Sequence, residues 1–164
     1  MRHPFVLDMS IHHLDLLRAI SGQEVTAIYA QGWRVPDSPY LHDPAVAAMM
    51  TLNGGATVLY DGDWATRSPE TSWNGEWELI GERGRLTWSG SAVDAMSSSM
   101  LMQLSGEEPR DVPLPNLAVS DRAAALMLFA DAVRSGIEPE TSARDNVRSL
   151  AVVLGCVAAI ESGA

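Results

Sequence analysis

Apolar and polar positions change period several times along this chain, and each change marks an element. Ile11, Leu14, Leu17 and Ile20 recur at helical spacing until Ser21-Gly22, which predicts a helix of about three turns beginning near Asp8 or Ser10. Residues 24–33 then alternate, with Val25, Ala27 and Tyr29 on one side and Thr26, Ile28 and Ala30 on the other, as a strand does. Pro36, Pro39 and Pro44 make residues 35–44 a loop, because each lacks a backbone donor and restricts its predecessor. Residues 45–52 and 56–60 bracket Asn53-Gly54-Gly55, whose tolerance of positive φ is what a tight hairpin demands. A second hairpin joins 73–80 to 85–88 through Gly81-Glu82-Arg83-Gly84, with Trp73, Trp77 and Leu79 on one face. After a Ser-rich connection a strand is expected over 100–104, with a short edge segment over 112–114 that Pro115 ends.

Helical spacing returns at the end of the chain. Residues 119–134 carry a stripe of Ala123, Leu126, Met127, Ala130 and Val133, with Asn116 or Ser120 as cap and Gly136 as stop. Thr141 or Ser142 opens a helix through Ile160 whose buried stripe is expected to be Val147, Leu150, Ala151, Leu154, Val157 and Ala158, and Gly163 ends it. The strand connections are too short for parallel crossovers. The order helix, strands, helices therefore predicts an α+β fold: an open, mainly antiparallel sheet of six or more strands with helices packed on one face. Its 164 residues suit a single domain.

Composition narrows the partners. The net charge of −10 and scattered arginines oppose nucleic acid and anionic membrane, both of which need clustered cations, and no apolar run reaches the ~20 residues of a membrane span. No signal peptide is evident, since Asp8, His12, His13 and Asp15 interrupt the first apolar run. One cysteine, Cys156, permits no internal disulfide and reads as a small buried hydrophobe, so the expected location is the cytoplasm. The chain has no lysine.

Chemistry concentrates at the first helix. Asp8 precedes His12 by four residues and Asp15 follows it by three, which lines all three along one side of a helix. Each has a plainer reading: Asp8 as an N-cap, His12 as an interior histidine, Asp15 as the partner of an arginine such as Arg18. Asp8, His12, His13 and Asp15 are suitable metal ligands by type, but adjacent histidines on a helix point apart, so no metal is expected. His3, His13 and His42 read as loop or helix-flank residues. The five tryptophans could stack on a sugar ring, yet sheet aromatics more often anchor cores or interfaces, and Trp73 and Trp77 are assigned to an interface.

The run Leu7-Asp8-Met9-Ser10-Ile11-His12-His13-Leu14-Asp15 through Gly22 resembles the opening of the C-terminal domain of the glucose-fructose oxidoreductase/inositol dehydrogenase (Gfo/Idh/MocA) family. Residues 77–86 resemble its G-x-x-G-x-L hairpin, and residues 142–163 resemble its final helix, so the likeness spans nearly the whole chain. The resemblance implies a substrate-binding and catalytic domain of a NAD- or NADP-dependent oxidoreductase acting on a sugar, polyol or related hydroxyl compound. It further implies His12 and Asp8 as the catalytic pair, and a sheet face that forms a homo-oligomer. Substrate contacts are expected from Asp8, His12 and His13. Imidazole titrates near neutral pH, so His12 suits removal of a hydroxyl proton during hydride transfer.

The chain also departs from a complete oxidoreductase. No G-x-G-x-x-G follows a strand, and the catalytic lysine that the family takes from its Rossmann domain is absent. The expectation is thus a C-terminal half that is inactive alone, with NAD or NADP bound mainly by a Rossmann domain outside this sequence and no cofactor on this chain. The alternative is a non-catalytic binding or assembly domain that retains only the fold.

Overall fold

Pro4 comes first, because its ring pre-sets a helical φ and it sits where a helix needs no N–H. It opens a one-turn helix that the hydrophobic spacing does not reveal. In the computed structural model, which describes residues 1–90 and 98–163, the elements in chain order are α1 (Pro4–Asp8), α2 (Ser10–Ser21), β1 (Val25–Trp33), β2 (Ala45–Leu52), β3 (Thr57–Asp63), β4 (Trp77–Gly81), β5 (Gly84–Gly90), β6 (Ser98–Leu104), β7 (Arg110–Asp111), α3 (Asp121–Ser135) and α4 (Ala143–Ser162). Every strand pairing among the described residues is antiparallel, and the seven strands divide into two sheets, ordered β1-β2-β3 and β4-β5-β6-β7. The α+β class and the strand number expected from the sequence are met. The chain forms two compact units, Met1–Arg67 with Glu140–Ala164, and Ser68–Pro139.

In the first unit α4 lies against β1, α1 against β2, and α2 against α4. Leu14, Met50, Val6, Val46, Val153 and Cys156 are fully buried between them. On the opposite face of the sheet Tyr29, Met49 and Leu59 stand directly across from one another and are exposed among the described residues, Leu59 to 81%.

Helix α4 buries the other side from the one expected. Ser149, Val152, Val153, Cys156 and Ala159 point inward, while Val147, Leu150, Ala151, Leu154 and Ala158 are exposed and Val157 is half-buried. Its middle is apolar nearly all round, so periodicity cannot choose a face. Two contacts choose it. Ser149 joins a buried polar network, and Gly155 lets Ile28 approach so closely that a Cβ there would lie 2.7 Å from the isoleucine Cδ1.

In the second unit Trp77 and Trp88 face each other across β4 and β5, with ring centroids 6.3 Å apart. Gly84 holds φ 153°, and a Cβ on it would meet the Gln103 carbonyl oxygen at 2.1 Å, which explains the glycine that closes this hairpin. Trp73 stands outside the strand in a turn closed by the Gly75 N–H donating to the Ser72 carbonyl, because Gly75 at φ 77° breaks the extended run. The expected edge strand at 112–114 is instead β7 at Arg110–Asp111, with one further bond from Val112 N–H to the Met100 carbonyl. Pro113 has no N–H with which to continue the ladder. The stripe expected to bury α3 is not buried: Leu126, Met127 and Val133 are exposed, and no strand among the described residues packs extensively on that helix. The Ser-rich connection before β6 falls on 91–97, outside the described residues.

Candidate active site

Asp8 does not open α2; it closes α1, and Met9 at φ −102°, ψ −45° links the two helices. The Met9 N–H donates to the Phe5 carbonyl at 2.9 Å and the His12 N–H to the Met9 carbonyl at 3.1 Å, so the chain turns without losing its backbone bonds. Asp8 and His12 flank this junction and both are exposed. Met9 and Ser10 between them are buried. The junction thus presents two ionisable side chains outward on an anchored backbone.

His13 turns elsewhere. It is half-buried, with Nδ1 3.0 Å from the Tyr60 hydroxyl on β3 and the two rings edge-on at 5.9 Å. The Tyr60 hydroxyl donates to Ser10 Oγ at 2.9 Å, and Ser10 Oγ donates to the Phe5 carbonyl at 3.4 Å. Burial pushes the Tyr60 phenol up, so it stays protonated across the physiological range. Neither Ser10 nor Tyr60 stands out in the sequence, because their partnership links residues 50 positions apart.

Asp15 serves the fold. Its carboxylate accepts a short hydrogen bond from Ser149 Oγ and lies 3.6 Å from Arg18. The buried Arg18 guanidinium donates to both Glu24 oxygens at 2.9 and 3.0 Å, to both Asp145 oxygens at 3.1 and 3.0 Å, and to Ser149 at 2.8 Å. These bonds, Glu24 before Asp145, raise Arg18 above its ordinary value. In turn the Arg18 guanidinium holds the Glu24 and Asp145 carboxyls below the usual carboxylate range. The network ties α2 to α4 and to the start of β1, which fixes the helix that carries His12.

The remaining candidates are structural. His3 is buried at the start of α1 with Nδ1 2.6 Å from Asp43, whereas His42 is exposed in the following loop. Burial pushes the Cys156 thiol up to about 11, which suits an inert core residue. Among the described residues no three His, Cys, Asp or Glu side chains gather into a metal-sized group, and no helix is long and apolar enough to cross a membrane.

Residues 4–87, which run from α1 through the second hairpin, match the GFO/IDH/MocA C-terminal domain family. The chain belongs to that family. An uncharacterized protein of Sinorhizobium fredii, y4oX, is 23% identical over 167 residues, covering 99% of this chain and 46% of that protein. The aldose-aldose oxidoreductase of Caulobacter crescentus, solved with glycerol, superposes with a TM-score of 0.82 at 19% identity over 97% of this chain and 46% of that one. An oxidoreductase of Agrobacterium radiobacter, solved with NAD+, L-tartaric acid and magnesium, does so at 0.76 and 23% identity, over 96% of this chain and 47% of that one. The GFO/IDH/MocA C-terminal domain described above thus spans a little under half the length of these relatives. At such identities the structural likeness shows a shared fold.

Proposed function

We propose that this domain is the substrate-binding and catalytic part of a NAD(P)-dependent oxidoreductase acting on a sugar, polyol or related hydroxyl compound. The observation that carries the reading is the Asp8–His12 junction: an outward carboxylate and imidazole, the two residue types proton removal needs, on a backbone held from β3 and α4 in a chain of this family. Every described strand pairing is antiparallel and the sequence holds no G-x-G-x-x-G, which supports placing the dinucleotide on another domain. The cofactor is assigned to a Rossmann domain supplied in cis or in trans, and when bound it accepts the hydride. His12 takes the proton from the substrate hydroxyl, Asp8 orients the imidazole or accepts from a second hydroxyl, and His13 lines the same end of α2. The test is hydride transfer with NAD or NADP and a panel of sugars and polyols, with a family Rossmann domain fused or added. Activity requiring both domains is expected. Micromolar cofactor binding by this domain alone, read by calorimetry, would overturn the division of labour.

The exposed Tyr29–Met49–Leu59 row supports self-association through the outer sheet face. Light scattering is expected to give a dimer or larger, and Leu59→Lys a monomer. A wild-type monomer would remove that assembly. The second reading is a binding or assembly domain that retains only the fold. Substrate binding without hydride transfer in the two-domain assay would select it.

A further inference from the structure

A helix against which no other described element packs extensively should be polar over most of its surface, and the 15-residue α3 is not. Leu126, Met127, Leu128 and Phe129 follow one another and are 69%, 54%, 67% and 61% exposed, so large apolar side chains leave the helix on more than one side. Val133, 68% exposed, carries the stripe of Leu126 and Phe129 a further turn. A helix of this length is marginal in water by itself, because its hydrogen bonds scarcely repay the cost of nucleation and packing must supply the rest. Its charges ask for less. Arg134 donates to Asp131 at 2.8 Å, which satisfies that pair within the helix. Among the described residues, then, α3 is an apolar helix with no extensive apolar surface beneath it.

We infer that α3 is the docking helix for the cofactor-binding domain that the function proposed above requires, and the inference rests on that reading. Two arguments select this occupant. The matches to the Caulobacter crescentus and Agrobacterium radiobacter oxidoreductases cover 97% and 96% of this chain, so they run across α3, yet this chain accounts for only 46% and 47% of theirs. Each of those proteins therefore carries, besides its counterpart of α3, more than as much protein again that lies outside this sequence. Hydride transfer also demands contact between the two domains. The other exposed apolar row, Tyr29–Met49–Leu59, is taken up by self-association under the same reading, which leaves α3 for the second domain. The partner surface is accordingly an apolar face of the nucleotide-binding domain that receives Leu126, Phe129 and Val133.

The test fuses a family Rossmann domain to this one and follows amide exchange by mass spectrometry, a readout that needs no turnover. Exchange across α3 is expected to slow by about tenfold or more in the fused protein relative to this domain alone, while α4 is unchanged. Unchanged exchange in α3 would overturn the inference. So would protection of α3 in this domain alone, which means a second copy if it grows with concentration and this chain's own surface if it does not. In the fused protein Phe129→Glu is expected to return α3 to the unprotected rate, whereas Leu59→Lys on the other apolar row leaves it protected. Equal effects of the two variants would overturn the docking site. Should Phe129→Glu fail to fold, Leu126→Lys on the same stripe carries the same expectation. If α3 is protected but the fused enzyme transfers no hydride, the proposed function falls and the docking helix stands.

Discussion

Replacing His12 by alanine is expected to lower hydride transfer in the assembled oxidoreductase by about 10²-fold or more, the usual consequence of losing a general base. The backbone of the helix should persist. His12 is exposed in the first turn of α2, its backbone bond to the Met9 carbonyl survives the change, and alanine is the better helix former. The loss should appear in kcat and kcat/KM together. The pH–rate profile is the second readout. The limb that reports the general base should vanish with the side chain. A near-normal rate in the variant would take His12 out of the reaction.

The second large effect is on stability. Arg18→Ala removes the cation on which Glu24, Asp145 and Ser149 converge. Truncating one member of a fully buried ion pair costs about 3–5 kcal/mol. Here the Glu24 and Asp145 side chains are each 40% exposed and can rehydrate. The loss is therefore expected at about 2–3 kcal/mol, measured by urea unfolding. The same network predicts the acid behaviour. Both carboxyls are held below their ordinary values in the folded state, so their contribution is complete above the unfolded values of about 4 and disappears as pH falls through the lower folded ones. The wild-type melting temperature should fall on acidification below about pH 4, and Arg18→Ala should show a shallower fall. An equally steep acid limb in the variant would mean that other carboxylates govern it.

How much of this was legible in the sequence depended on whether the deciding interaction was local. The α2 stop at Gly22 and the hairpins at Asn53-Gly54-Gly55 and Gly81–Gly84 could be read because neighbouring residues specify them. The buried face of α4 could not, because Ser149 is placed by Arg18, 131 positions away, and no window on the helix contains that information. The strand expected at 112–114 fails on local chemistry, because Pro113 has no N–H to offer a ladder. Asp8 and His12 were legible as a spaced pair and through the family resemblance. Their setting at a junction between two helices was not, because it depends on Pro4 below and on Tyr60 across the sheet. Met9 and Ser10 gave no warning of a break, being compatible with one continuous helix.

The pairing of α2 with α4 has a temporal side. Everything that closes the first unit's core around Val153 and Cys156, and that neutralises Arg18 from Asp145, lies beyond residue 139 in order of synthesis. The three-stranded sheet and the helix bearing His12 are made before α4, and all of Ser68–Pro139 emerges in between. Arg18 has Glu24 six residues away as an early partner, and gains Asp145 and Ser149 only when α4 has been made. The latch on the proposed active site is thus made well over a hundred residues after the helix it holds, Arg18 and Asp145 lying 127 positions apart.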